Sequence, residues 1–174
     1  GPCAELHYDF GPEFGCGPQC EPDHDDCDRF LEIWNLVFMS YFRDGDKRDP
    51  LPTKNIDTGA GLERMAVASL FESKEWKDKG KLPSVYDTDS FAPIIKRIEK
   101  LSGMKYGKDP STGSGQAMAT DRAMRIVAEH ARAVTFLIAD GVIPSARDGH
   151  GDVARRILRR AVYFLQSLDG GNSD

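Results

Sequence analysis

Polar and apolar residues alternate from Glu5 to Phe10, a period of two that predicts a strand ending at Gly11-Pro12. Leu31 to Phe42 is rich in aromatic and β-branched residues (Ile33, Trp34, Val37, Phe38, Tyr41, Phe42) and predicts a long central strand. Arg43-Asp-Gly-Asp46 makes a turn, and the segment up to Ile56 returns antiparallel, with Leu51 to Ile56 a short extended piece fenced by Pro50 and Pro52. The period then changes. Leu62, Met65, Ala66 and Ser69 recur at helical steps and predict a helix over Leu62 to Ser73, followed by a loop over Lys74 to Ser84, dense in Lys, Gly and Pro. A second helix runs from Thr88 to Ser102, capped by Asp87 or Thr88 and stopped by Gly103. Tyr106 to Gln116 is poor in apolar residues and reads as a mobile linker. Met118 to Asp140, stopped by Gly141, and Asp152 to Leu168 are the last helices, with Gly170 to Asp174 a tail. The fold class is α+β: an antiparallel sheet backed by a helix over residues 1–104, a linker over 105–117, and an all-helical lobe over 118–174.

Where the strand pattern gives way to the helical one stands Asn55-Ile-Asp-Thr-Gly-Ala-Gly-Leu-Glu-Arg-Met65. Gly59 and Gly61 at this junction allow a ligand to approach the backbone closely, and Arg64 in the first helical turn brings a permanent charge suited to phosphate oxygens. Asp57 is the natural partner of an ammonium group. This points to a small-ligand and nucleotide site. From these residues alone, a glycine-rich corner carrying a surface arginine fits equally well.

The same stretch resembles motif 3 of the class II aminoacyl-tRNA synthetases, in the form typical of alanyl-tRNA synthetases. Gly1-Pro-Cys-Ala-Glu-Leu-His-Tyr-Asp9, Glu32-Ile-Trp-Asn-Leu-Val-Phe-Met39, Arg125-Ile-Val-Ala-Glu-His-Ala-Arg132, Phe136-Leu-Ile-Ala-Asp-Gly-Val142 and Arg155-Arg-Ile-Leu-Arg-Arg-Ala161 match the family in the same order. The resemblance implies a partial class II sheet with its motif 3 helix. It also implies an ATP-dependent alanine-tRNA ligase as the parent, using ATP and Mg²⁺ on alanine and tRNA(Ala). By the resemblance Asn35 hydrogen-bonds the amino acid, Val37 walls the methyl pocket, Asp57 pairs with the ammonium and Gly59 leaves room for the side chain. Arg64 is the catalytic, phosphate-contacting arginine, with Gly61 and Glu63 beside it at the ATP. Glu32 and Glu63 are candidates to orient other groups or to neighbour Mg²⁺, and Glu63 is equally a favourable acid in a first helical turn. For Asn35 and Val37 the plain alternative is strand packing, because residues two apart share a face.

The family's motifs 1 and 2, including the arginine that clamps the α-phosphate, do not occur in these 174 residues. The expected partner is therefore the N-terminal half of the catalytic domain, and the isolated chain is expected to be inactive. The family's editing domain is not matched either. A methyl pocket discriminates against a missing methylene by only about 1–3 kcal/mol, so no proofreading is expected here.

Charge separates the two halves. The net charge is −5, yet residues 118–168 hold eight arginines against five acids, a net of +3 that leaves −8 for the remainder. Arg155, Arg156, Arg159 and Arg160 form a basic stripe on one helix, with Arg132 adjacent, and the resemblance assigns this lobe to the tRNA acceptor stem. A solvated or internally paired helix face is the other reading. Ala146 stands where the family commonly has an asparagine that helps read the stem, which predicts poor base discrimination. A non-catalytic RNA-binding or scaffold module is the alternative function. His7 and His130 read as structural.

Four cysteines lie within the first 27 residues. Cys16, Cys20, His24 and Cys27 are close enough in sequence to wrap one zinc ion, but the spacing is unusual and acids surround them, so free reduced thiols in a cytoplasmic protein are the default expectation. No apolar run approaches the ~18 residues that span a bilayer, which predicts no membrane partner.

Overall fold

The longest apolar stretch becomes the middle strand of a three-stranded antiparallel sheet. Strand β2 (Phe30–Asp44) lies between β1 (Cys3–Asp9) and β3 (Lys47–Ala60). The structure is a computed structural model that describes residues 1–22, 27–107, 115–145 and 149–168, apart from the side chains of 115–118. The hairpin between β2 and β3 turns at Gly45, whose φ of 57° is the left-handed conformation that glycine adopts at little cost.

β3 is longer than the sequence pattern predicts. It continues past Ile56 to Ala60, so Gly59 lies within the strand and not at the strand-to-helix junction. Pairing with β2 explains the difference: Val37 faces Asp57, Asn35 faces Gly59 and Trp34 faces Ala60, and these ladder bonds outweigh the weak strand preference of glycine. Pro50 and Pro52 are tolerated because β3 is an edge strand of this sheet. The register there shifts, with β3 running from Asn55 to Pro50 while β2 runs only from Met39 to Tyr41.

Helix α1 (Leu62–Phe71) packs against β2 and buries Val67, Ala68 and Phe71. Phe71 stacks edge-on to Phe10 at 4.9 Å, and Tyr8, Phe14, Leu31, Leu82 and Val85 close around them. The aromatic edge-to-face geometry adds to the area these rings remove from water. The expected loop after α1 contains a further helix, α2 (Lys74–Lys79), anchored by buried Trp76 and ended by Gly80 in the left-handed conformation. Tertiary burial of one indole overrides a local sequence of lysines.

Residues Gly1–Thr88 form one compact unit and Asp89–Asp174 another. In the second, α3 spans Ala92–Ser102, starting four residues later than the sequence predicts. Ser84 and Asp87 form a capping box around a 3-10 turn over Val85–Asp87, and the buried Thr88 hydroxyl donates to the Val85 carbonyl at 2.6 Å. These bonds hold the chain out of the helix at the expected cap. Gly103 ends α3 as expected, at φ 69°. Helices α4 (Gly115–Ala139) and α5 (His150–Leu168) pack together, and α3 packs on α4. Ile95, Ile98, Met124, Val127, Val134, Ala154, Ala161 and Leu168 are buried in this unit. Helix α3 thus belongs to the helical unit, whereas the sequence pattern groups it with the sheet. The part of the expected linker over 108–114 lies outside the described residues. Among the described residues no helix is long and apolar enough to cross a membrane.

Candidate active site

Four of the residues singled out from sequence meet on one face of the sheet. Asn35 and Val37, two apart on β2, lie opposite Gly59 and Asp57 on β3. Directly opposed residues of an antiparallel pair share a face, so the four make a two-by-two patch with the acceptors Asn35 and Asp57 on one diagonal and Val37 and Gly59 on the other. Asp57 and Gly59 are exposed, and Val37 is 38% exposed. A methyl carbon added at Gly59 meets no heavy atom within 4 Å.

β1 extends this face. Glu5 lies opposite Asn35, and the Asn35 Nδ2 donates to Glu5 Oε1 at 2.9 Å. That bond fixes which way the amide points, because a flipped amide sets two acceptors against each other. It leaves Asn35 Oδ1 buried and without a hydrogen-bond partner among the described residues. Buried acceptors are nearly always satisfied, so an orphan beside a carboxylate marks a place for a donor. Glu5 was not singled out in the sequence, where its alternation with His7 reads as structural. His7 Nε2 lies 3.7 Å from Glu5 Oε2.

A bulge brings in a further group. Leu6 pairs with Trp34 but His7 pairs with Glu32, so β2 carries one extra residue at this point. Glu5 and His7 share a face on β1, and therefore Asn35 and Glu32 share a face although they are three apart. Regular alternation would have turned Glu32 away. Arg64, in the first turn of α1, donates from one guanidinium nitrogen to the Glu32 carboxylate at 2.8 Å and to the Glu32 carbonyl at 3.0 Å. Its side chain stays 53% exposed, so this ion pair orients Arg64 without consuming its remaining donors. Gly61 caps α1 and bonds to the Ile33 carbonyl at 3.1 Å. A Cβ at Gly61 would meet Arg64 Cδ at 3.2 Å and Cγ at 3.3 Å, so the glycine makes room for the stem of this arginine. Arg64 thus sits at the amide-rich end of a helix, where positive charge disfavours the helix but adds to an anion site. Glu63 follows Leu62 in the same first turn.

The chain matches the family model for class II (A) tRNA synthetases over residues 1–173. The chain belongs to the class II tRNA synthetases. It is 53% identical over 170 residues to an alanine-tRNA ligase of Dehalococcoides mccartyi, covering 97% of this chain and 17% of that protein. Identity is 48% over 163 residues to the alanine-tRNA ligase of Natranaerobius thermophilus, covering 92% of this chain and 16% of that protein. For the alanine-tRNA ligase of Oleidesulfovibrio alaskensis it is 45% over 173 residues, 98% of this chain and 18% of that protein. The chain therefore spans about one sixth of the length of these relatives. For a class II tRNA synthetase the three antiparallel strands and following helix are the expected partial sheet.

The basic residues of this class II synthetase segment do not act alike. On α5 the buried Ala154, Ala161 and Leu168 recur every seven residues and define the packed side. At about 100° per residue, Arg156, Arg159 and Arg160 fall on the opposite side, and all three are exposed. Arg155 turns back to the fold, donating to the Ser145 carbonyl at 3.0 Å and to Asp152 at 2.8 Å. Arg156 lies 3.1 Å from the same carboxylate, with its side chain 67% exposed. Arg132 lies over the Phe91 and Phe136 rings at 5.0 and 5.6 Å. Burial, and secondarily the charge of Arg160, hold His130 below its ordinary pKa. Ala146 lies outside the described residues, as does His24. Cys16, Cys20 and Cys27 come together, with their sulfurs all within 4.8 Å of one another.

Proposed function

We propose that this chain builds the alanine-binding floor and one phosphate contact of an alanine-tRNA ligase, with a tRNA-facing helix in its second unit. The observation that carries the reading is the patch of Asn35, Val37, Asp57 and Gly59, with the Asn35 Oδ1 buried and unsatisfied and Asp57 at the diagonal position. An ammonium group has three donors and no acceptor, which suits two acceptor side chains reaching toward it from diagonal strand positions about 7–8 Å apart. Val37 and the open space over Gly59 then receive a methyl group. The alanine carboxylate attacks the α-phosphorus of ATP, the bond to the bridging oxygen breaks, and pyrophosphate leaves, so no side chain has to act as nucleophile. Orientation and charge stabilisation supply the rate, and Arg64 is placed to meet phosphate oxygens with donors that Glu32 leaves over. Mg²⁺ usually keeps several waters and takes one or two carboxylates together with phosphates. Glu32 and Glu63 are the carboxylates that fit such a role.

The reading is tested by ATP–pyrophosphate exchange in the full-length polypeptide that carries this segment. Exchange that depends on alanine is the expected result, and preference for a larger amino acid contradicts it. The 174-residue chain by itself is expected to show no exchange above that of its Arg64→Ala variant.

For RNA, the exposed Arg156, Arg159 and Arg160 are the contacts, and Arg155 supports the helix. Binding of an alanine acceptor stem should fall steeply with salt, because each phosphate contact releases counterions at about 0.9 log units of affinity per log unit of salt on duplex DNA, with a similar order for an RNA stem. Changing Arg156 and Arg160 to glutamine flattens that slope by roughly two units. A salt-independent affinity, or an unchanged slope in the double variant, removes the stripe from the interface.

A further inference from the structure

We propose that Cys16, Cys20 and Cys27 bind one zinc ion as thiolates, and that the ion clamps the connection between β1 and β2. The three residues come from a 20-residue connection, 10–29, that carries only a single 3-10 turn, at Pro12–Phe14, among its described residues. Such a segment has few means of fixing three thiols in one place by chance of packing, yet all three sulfurs lie within 4.8 Å of one another. Cys20 and Cys27 are closest, at 3.3 Å, well outside a covalent bond between sulfurs. Zinc bound tetrahedrally at about 2.3 Å per thiolate sets its sulfurs about 3.8 Å apart, inside the range this cluster spans. The donor set itself selects the metal, since soft thiolates favour zinc over magnesium or calcium.

The surroundings suit a cluster with charge. Binding displaces three thiol protons to solvent and leaves one net negative charge on a zinc tris-thiolate, with the fourth position taken by a ligand from solvent. Arg29 stands beside it: a methyl carbon added at Gly15 would lie 3.2 Å from Arg29 Cδ and 3.4 Å from Cys20 Sγ, so both groups converge on that glycine. Arg29 is in turn held by two 2.7 Å bonds to Asp9 at the end of β1. The backbone amide of Arg29 bonds the Cys27 sulfur, and amide donors of this kind commonly orient metal-bound thiolates. The ion would join the end of β1 to the start of β2, the strand that carries Glu32, Asn35 and Val37. Cys3, the fourth cysteine, is on the sheet and outside the cluster.

The test uses the 174-residue chain, expressed with zinc and purified under a reductant without chelator. Mass-spectrometric metal analysis should find one zinc per chain in the parent and in Cys3→Ser, and a loss of about tenfold or more in Cys20→Ser and Cys27→Ser. Cobalt loaded into the unmutated protein gives a second readout that does not depend on how the variants fold: thiolate-to-cobalt charge-transfer bands appear and are bleached by added zinc. Chelation should lower the melting temperature of the parent and leave Cys20→Ser unmoved. Zinc absent from the parent with no cobalt bands overturns the proposal, as does zinc retained undiminished in both serine variants, or a Cys20–Cys27 disulfide persisting under reductant.

Discussion

Replacing Asp57 by alanine in the full-length polypeptide lowers kcat/KM for alanine in ATP–pyrophosphate exchange by roughly 30- to 1,000-fold, because it removes the charged partner of the ammonium. The estimate follows from the about 2–4 kcal/mol lost when one member of a hydrogen-bonded charge pair is deleted, at about 1.4 kcal/mol for each factor of ten. Asp57 is exposed on an edge strand, so its removal should barely change folding stability. Asp57→Asn keeps the shape and one acceptor but not the charge, and should lose nearly as much. Asp49, exposed on the same strand but paired with Phe42 far along the hairpin, is the control: Asp49→Ala should leave exchange unchanged. Equal losses at both positions, or none at Asp57, remove the carboxylate from the amino-acid site.

The sequence made the sheet and its functional face partly legible. Alternation identified β1, because burial on one side of a pleated surface imposes a period of two, and the aromatic and β-branched content of Leu31 to Phe42 marked the central strand. The end of β3 was not legible. Gly59 and Gly61 read as the strand-to-helix junction, and only the ladder to β2, which no local pattern reports, carries the strand on through Gly59 to Ala60. The bulge was equally hidden: nothing in Glu32-Ile-Trp-Asn35 announces an extra residue, yet it decides that Glu32 and not Ile33 meets Arg64. α2 was missed because Lys, Gly and Pro around it read as a loop, whereas buried Trp76 anchors the short helix to the fold. On α5 the arginine spacing was readable, but the side to which Arg155 turns depends on Ser145 and Asp152, and only coordinates show that.

The cysteines show the limit of spacing most clearly. Sequence distance makes a common ligand set feasible for Cys16, Cys20 and Cys27, but free thiols were the plainer expectation for an acid-rich connection. The path of that connection, with Gly15 packed under Cys20, is what brings the sulfurs together.

Gly59 offers the most direct test of where the amino acid lies. It occupies ordinary extended strand backbone, and a methyl group added there meets nothing of the protein within 4 Å, so Gly59→Ala should fold as the parent does. If the space over Gly59 receives the substrate methyl, that added carbon takes its place. One methylene in such a pocket is worth about 1–3 kcal/mol, so the preference for alanine over glycine should shrink by roughly 10- to 200-fold. The deciding measurement is the ratio of kcat/KM for alanine to that for glycine in ATP–pyrophosphate exchange, for the full-length parent and its Gly59→Ala variant. That ratio should collapse, led by loss of alanine use; an unchanged ratio in a folded variant removes Gly59 from the methyl pocket.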